Sequence, residues 1–295
     1  MGKRILITGA GGNVGQYIAR ELSENGYEVI GLYRNRKPEC GFYQAVRCDL
    51  AKEEPPIEGV DVIIHAAAAL HGSVQTLIQN NLAATQKLLV WAAKSKVRRM
   101  VYFSSVSVYG AADGELSETS VIMDPDPYGA TKYLCERLVW ESEIPEKLIL
   151  ELPRMLGPFV DVDGTIGSGF VAMTRKLLRG EDVTCFIPRE PYNNFMHVSD
   201  LTDFVRVLLE RNVWSGADRL LLGAPDRLEM MEILGIMKDE MGSSSHLTEG
   251  KSASPPRCAL INISKALSCG YRPQSAEKSL RRFASEMMRR YSRSS

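Results

Sequence analysis

Two groups of residues in this 295-residue chain have types and spacings that could do chemistry. Tyr128 and Lys132 stand four apart in Tyr128-Gly-Ala-Thr-Lys132, which on a helix puts a phenol and an ammonium on one face. A free tyrosine, with a pKa near ~10, is a poor acid–base group at neutral pH. A neighbouring cation favours the phenolate and lowers that value. Such a pair suits carbonyl/alcohol interconversion, in which hydride moves to or from a cofactor while a phenol supplies or takes the proton. The second group is Thr8-Gly9-Ala10-Gly11-Gly12-Asn13-Val14-Gly15, where Gly9, Gly12 and Gly15 have the spacing G-x-x-G-x-x-G. Small residues let backbone turn tightly and approach a pyrophosphate, while the next helix offers free N–H groups at its start. The third glycine lets that helix pack closely on the preceding strand.

The elements that must position these groups follow from the hydrophobic pattern. Short apolar runs at 4–8, 27–33, 42–48, 60–65, 99–104 and 148–152 read as strands. Between them lie helical patterns at 13–25, 74–93 and 128–141; the first has Val14, Ile18 and Leu22 in one stripe. Strands that are nearly continuous in apolar residues and alternate with helices pair in parallel through right-handed crossovers. The fold class expected is therefore α/β, a Rossmann-like doubly wound parallel sheet. From about residue 154 the rhythm changes to a glycine-rich stretch, followed by helices at 170–178, 229–241 and 276–291 and strands at 219–222 and 259–263. A further helix running to about Arg211 is expected to be capped by Ser199 or Asp200. The expected organisation is a dinucleotide-binding domain at 1–153 and a smaller, discontinuous lobe at 154–295, with some segments returning to the first domain.

Composition closes other doors. Thirty-six Lys and Arg balance 36 Asp and Glu, so no global field draws nucleic acid or an anionic membrane. Six scattered cysteines without a CxxC argue against a disulfide framework or a zinc ribbon. No apolar run reaches the ~18 residues of a membrane span, and the start of the chain has no signal-peptide core. A cytoplasmic protein with no metal, no membrane and no nucleic-acid partner is the expectation. The four histidines have no metal-ligand spacing; His65 and His197 read as hydrogen-bonding groups. The basic C-terminal cluster (Lys278, Arg281, Arg282, Arg289, Arg290) reads as a solvated helix face.

The end of the second strand indicates which dinucleotide is held. NAD sites place an acid there for the ribose hydroxyls. Here the position is Tyr33, followed by Arg34-Asn35-Arg36-Lys37. A 2′-phosphate would suit Arg34, each charge-assisted bond contributing roughly 1.5–3 kcal/mol, so NADP(H) is favoured over NAD(H). Asp49, after the third strand, is placed either to meet the adenine edge or to cap a turn.

The ordered set of motifs resembles an extended short-chain dehydrogenase/reductase of the nucleotide-sugar epimerase/dehydratase/4-ketoreductase group. It comprises the glycine segment at 8–15, His65-Ala66-Ala67, Asn81-Leu-Ala-Ala-Thr85, Ser104-Ser105-Val-Ser-Val-Tyr109-Gly110, Pro127-Tyr128-Gly-Ala-Thr-Lys132, Phe195-Met-His197-Val198-Ser-Asp200 and Gly270-Tyr271-Arg272-Pro273. The resemblance implies that Tyr128 is the acid/base, that Lys132 binds the nicotinamide ribose and tunes Tyr128, and that Ser105, with Ser104 and Ser107 as rivals, hydrogen-bonds the reacting oxygen. It implies a cofactor held by Gly9, Gly12, Asn13, Val14, Gly15, Tyr33, Arg34, Asp49, Leu50, Ala66, Ala67, Asn81 and Lys132. It also implies a nucleotide-sugar substrate, and a homodimer formed through the long helix and the Tyr128 helix.

Departures narrow the activity. Val106-Ser107 follow Ser105 where the 4,6-dehydratase branch has an Asp-Glu pair, so dehydration is not expected. Glu151 replaces the arginine common in the sixth strand, with Arg154 close by; the Phe-Asn pair typical of many epimerases is absent before Gly157; and Asn193-Asn194-Phe195 stands where Arg-Asp-Phe is frequent. Arg154, Arg189 and Arg257 are the candidates for substrate phosphates. The expected function is NADP(H)-dependent reduction of a 4-keto group on a nucleotide-activated sugar. The alternatives are an epimerase that retains its dinucleotide and a non-catalytic dinucleotide-binding sensor.

Overall fold

The computed structural model describes residues 3–38, 43–160, 169–211, 215–251 and 260–294. Its centre is a seven-stranded parallel sheet built from β1 (Arg4–Thr8), β2 (Glu28–Tyr33), β3 (Gln44–Arg47), β4 (Val62–His65), β5 (Arg99–Ser105), β6 (Glu146–Leu152) and β7 (Ala217–Leu221), in the order β7-β6-β5-β4-β1-β2-β3. Strand order reverses at β1, the switch point at which doubly wound sheets bind ligands beyond their carboxyl ends. One row of register partners runs Thr8, His65, Tyr102, Ile149 and Arg219, so the ends of β1 and β4 stand side by side and β5 continues beyond them to Ser105.

Helices cover both faces because the strands are apolar on both. On one face α1 (Asn13–Glu24) inserts Ile18 and Leu22 against Ile5, Ile7 and Val62. On the other, α2 spans Val74–Leu77, a π-helical turn at Ile78–Ala83 and Ala84–Lys94. There it packs Leu88, Trp91 and Ala92 with Cys135 and Val139 of α3 (Pro127–Trp140) against Leu6, Ile63 and Met100. The sequence pattern places α2 correctly, but the π turn inside it has no counterpart in that pattern.

A separate core forms where α4 (Gly169–Arg179), α6 (Met230–Met241) and α7 (Ala276–Ser294) bring together Phe170, Leu177, Ile233, Met237, Leu280 and Phe283. The helix α5 (Val198–Glu210) belongs instead to the sheet, with Phe204 and Leu208 in the core beside α1. Its cap corrects the sequence expectation. The His197 ring, not Ser199 or Asp200, accepts the Ser199 amide at 3.2 Å. Asp200 is buried and receives Gln274 and Ser279 from the C-terminal region, so its carboxylate joins two parts of the chain instead of ending a helix.

Candidate active site

Beyond the carboxyl end of β1 the chain turns through Gly9, at φ +72°, a conformation that favours glycine. A methyl at Gly9 would lie 2.8 Å from the Ala67 backbone, and one at Gly15 would lie 2.4 Å from the Gly9 carbonyl oxygen. The turn is therefore as tight as backbone allows. Gly12 is the N-cap of α1, with no side chain capping the first amides and no acid in the first turn. Those N–H groups and the positive end of the helix dipole form a place for an anion.

The cleft around this turn is lined by Gly9, Gly11, Gly12, Tyr33, Arg34, Arg36, Asp49, Leu50, Ala66, Ala67 and Asn80, among others. Five of the expected cofactor residues stand outside that lining. Gly15 packs on the Gly9 carbonyl and Val14 against the hydrophobic core. Asn13 reaches the Phe159 carbonyl at 3.4 Å. Asn81 is buried; its amide donates to Ala69 O (3.0 Å) and Thr131 Oγ1 (3.1 Å) and accepts from Ala69 N (2.7 Å), so it braces the wall. Lys132 lies below the wall, as described next. Asp49 lines the cleft, and its carboxylate accepts the Ala51 amide at 3.3 Å. Arg36, part of the basic run noted after the second strand, lines the cleft as well; Asn80 does too but escaped the sequence reading, because it carries no motif.

Two strands along, β5 ends at Ser105, whose hydroxyl caps the following 3-10 turn by accepting the Ser107 amide at 3.1 Å. With only β4 between β1 and β5, the two strand ends are roughly 10 Å apart laterally. Asp126 caps α3 at the Gly129 amide (2.7 Å), and Pro127 occupies its first turn. That start brings Tyr128 close to Ser105, whose hydroxyl acts to lower the phenol. The expected net lowering is not found. Burial outweighs Ser105 and pushes Tyr128 up to about 12, with Lys132 directed elsewhere. The lysine is itself buried, donates to the Phe103 carbonyl at 2.6 Å and lies 4.2 Å above the Tyr102 ring. Burial brings its ammonium down to about 8. In this arrangement Tyr128 keeps its proton at neutral pH.

The neighbouring His65 is fixed between two hydroxyls, Thr8 Oγ1 at 2.6 Å from Nδ1 and Thr85 Oγ1 at 2.9 Å from Nε2. Burial, together with Lys132, lowers it to about 3. It is a neutral structural group, as its sequence position suggested.

The sequence profile of the NAD dependent epimerase/dehydratase family matches residues 5–219. The chain belongs to that family. It is 26% identical over 293 residues to the uncharacterized UDP-glucose epimerase YtcB of Bacillus subtilis (strain 168), a match covering 89% of this chain and 90% of the relative. It is 24% identical over 272 residues to dTDP-4-dehydro-6-deoxy-D-allose reductase from a Streptomyces species, covering 82% of each. Among solved structures, UDP-glucuronic acid 4-epimerase from Bacillus cereus in complex with NAD superposes with a TM-score of 0.81 at 22% identity, over 98% of this chain and 99% of that one. The protein is an enzyme of the extended short-chain dehydrogenase/reductase type. The family's dinucleotide fits the chain's own features: an uncapped helix start, a glycine turn with no room for a side chain, and a cleft beside it.

Behind Ser105 lies a buried network of charged side chains. Ser104, on β5 beside Ser105, donates to Glu136 Oε1 of α3. Tyr109, which closes the 3-10 turn, donates to Glu151 Oε2 at 2.9 Å. The second oxygens, Glu136 Oε2 and Glu151 Oε1, each face one guanidinium, Arg219 of β7, at 3.6 Å. Two buried carboxylates thus share one cation, and burial raises both. Arg219 lies between them.

The substrate candidates fare unevenly. Arg154 begins a short strand pairing with Phe195–His197 and lies over the Phe170 ring at 5.6 Å. Arg189 does not suit a phosphate: it is 71% exposed and its guanidinium is held by Glu229 (3.2 Å) and Glu249 (2.8 Å), two acids that more than cancel its charge. Arg257 lies outside the described residues. Asn193 is also committed to structure, donating to Ala224 O and Ile261 O and accepting the Ile261 amide. Among the described residues no cluster of His, Cys, Asp and Glu is arranged to hold a metal, and no helix is long and apolar enough to cross a membrane.

Proposed function

We propose that this enzyme is an NADP(H)-dependent oxidoreductase that reduces a keto group, at C4, of a nucleotide-activated sugar. The observation that carries the reading is Tyr128, a half-buried phenol that keeps its proton in the first turn of α3, close to Ser105 and beyond the same end of the sheet as the glycine turn. When bound, the cofactor supplies a hydride to the carbonyl carbon. Tyr128 then gives its proton to the oxygen, leaving an alcohol, and is reprotonated from water. Ser105 hydrogen-bonds the reacting oxygen, so charge that develops on it meets a fixed donor. Gly9 and Gly12 hold the pyrophosphate, Arg34 and Arg36 suit a 2′-phosphate, and Lys132 holds the nicotinamide ribose. Residues 1–153 carry the cofactor; 154–295 mainly surround the substrate, with α5 and β7 returning to the sheet. The similarity to a dTDP-4-dehydro-6-deoxy-D-allose reductase supports this chemistry.

The similarity to a UDP-glucose epimerase supports a second reading, in which one carbon is oxidised and re-reduced on a retained dinucleotide. The residues are the same in both readings; the difference is whether the 4-keto sugar can rotate in the site and whether the dinucleotide leaves. Purified protein decides between them when incubated with NADPH, or NADH, and a panel of UDP-, dTDP-, GDP- and CDP-linked 4-keto sugars. Stoichiometric NADPH consumption supports reduction. Dinucleotide that survives gel filtration, with no net consumption, overturns it.

The same reading includes a homodimer and a cytoplasmic location. Val74, Ile78 and Val90 of α2 and Leu134 and Trp140 of α3 are exposed apolar side chains on two neighbouring helices, a surface that a second copy would cover as a four-helix bundle. The four described cysteines are free thiols, as a reducing compartment would keep them.

A further inference from the structure

Several exposed arginines are neutralised in ion pairs: Arg137 with Glu141, Arg189 with Glu229 and Glu249, Arg227 with Glu115, and Arg281 with Glu277. Arg34 is not among them. Its guanidinium donates to the neutral amide oxygen of Asn80 at 2.5 Å, and both residues line the cofactor cleft. Its backbone carbonyl is held in turn by Arg47 Nε at 3.2 Å. Among the described residues no carboxylate forms an ion pair with Arg34. The nearby acid of the cleft, Asp49, is turned to the Ala51 amide and to Lys52 at 3.5 Å.

Asn80 itself is placed by the π turn of α2. Asn80 and Asn81 are consecutive in Ile78–Ala83. Asn81 turns inward to Ala69 and Thr131, anchoring the segment, while Asn80 meets Arg34 across the cleft. Such turns are rare and cluster at functional sites. The loop bearing the cations also abuts the glycine turn: a methyl at Gly11 would lie 2.1 Å from the Arg36 carbonyl oxygen.

We infer that Asn80 is a specificity-determining residue, whose uncharged amide orients Arg34 over the cleft while leaving its positive charge uncancelled for the 2′-phosphate of NADP(H). The inference rests on the NADP(H) reading above. An amide suits the task because it removes part of the conformational freedom a long side chain loses on binding without supplying a competing anion. A carboxylate at the same place would hold the arginine equally well and neutralise it.

The test is titration of the purified protein with NADPH and with NADH, followed by nucleotide fluorescence, for wild type, Asn80→Asp, Asn80→Ala and Arg34→Ala. Wild type is expected to bind NADPH at least about tenfold more tightly than NADH, from one charge-assisted contact. Asn80→Asp is expected to weaken NADPH about tenfold, hold NADH within about twofold, and flatten the salt dependence of NADPH binding as one phosphate contact is lost. Asn80→Ala is expected to fall between, because Arg34 keeps its charge and loses its guide. If Asn80→Asp is unfolded by circular dichroism, Asn80→Ala decides the matter, and wild-type discrimination in that variant overturns the inference. Arg34→Ala separates the two levels of the argument. If it lowers discrimination while both Asn80 variants leave it intact, the role of Asn80 is refuted and the NADP(H) reading stands. If wild type itself does not discriminate, the NADP(H) reading fails first.

Discussion

Arg219 offers the sharpest test of how the site is held. Among the described residues it is the cation that ion-pairs with both of two carboxylates that are 3% and 0% exposed, Glu136 and Glu151; Glu136 joins α3 to β5 through Ser104, and Glu151 joins β6 to the turn after Ser105 through Tyr109. Replacing it by Gln removes the charge and leaves both acids buried. Breaking a buried pair costs about 3–5 kcal/mol; Arg219 is 27% exposed, so the lower end, about 3 kcal/mol at pH 8, is expected. The sign of the pH dependence follows from the raised carboxyls. Where the folded pKa lies above the unfolded value, the folded state binds more protons and stability falls as pH rises through the window between them. Without Arg219 both carboxyls rise further, at 1.36 kcal/mol per pKa unit, so the variant loses most at high pH, where both acids must ionise, and less as falling pH protonates them. Urea denaturation at pH 5, 6.5 and 8 should show the gap to wild type shrinking below about 1.5 kcal/mol at the acid end, with Arg219→Lys restoring most of the loss at pH 8. A gap that stays constant across this range, or never exceeds about 1 kcal/mol, would show that the acids do not depend on Arg219.

Other expectations are simpler to state. Tyr128→Phe should lower kcat by about 10²–10⁴, the usual worth of a positioned acid, with NADPH affinity unchanged; full turnover by this variant on an identified substrate removes Tyr128 as proton donor. Gly9→Ala forces a side chain into φ +72° and against the Ala67 backbone, so at least about 2 kcal/mol of stability should be lost and NADPH binding weakened more than tenfold. Leu134→Glu, at a side chain 46% exposed on α3, should convert a dimer to monomer in light scattering; an unchanged mass would place the subunit contact elsewhere.

The sheet was readable because each strand is buried on both faces and therefore nearly continuous in apolar residues, as in Ile5-Leu6-Ile7 and Val62-Ile63-Ile64. The glycine turn was readable because its spacing reflects close contact, now visible as Gly15 on the Gly9 carbonyl. Less local facts stayed hidden. The acids that hold Arg189 come from 40 and 60 residues away, and no pattern around Arg189 announces them. Asn80 looks like any polar residue beside Asn81, since a π turn barely alters helical spacing. The phenol's height follows from burial and from Lys132 turning to Phe103, neither of which a four-residue spacing can express. At the start of α5, Ser199 and Asp200 have the better capping propensity, but tertiary contacts claim Asp200 and leave the cap to His197.

The imidazole between Thr8 and Thr85 has a hydroxyl partner at each ring nitrogen. The Ala67 amide donates to Thr8 Oγ1 at 3.1 Å, and that hydroxyl can still either donate to His65 Nδ1 or accept from it, so whichever nitrogen carries the ring proton has an acceptor. A nitrogen-bound hydrogen so enclosed, on a ring that stays neutral down to about pH 3, exchanges slowly with solvent and gives a resonance that buffer changes do not move. Because Thr8 immediately precedes the turn at Gly9, that signal becomes an internal gauge of nucleotide occupancy, readable by nitrogen-15 spectroscopy without any attached label.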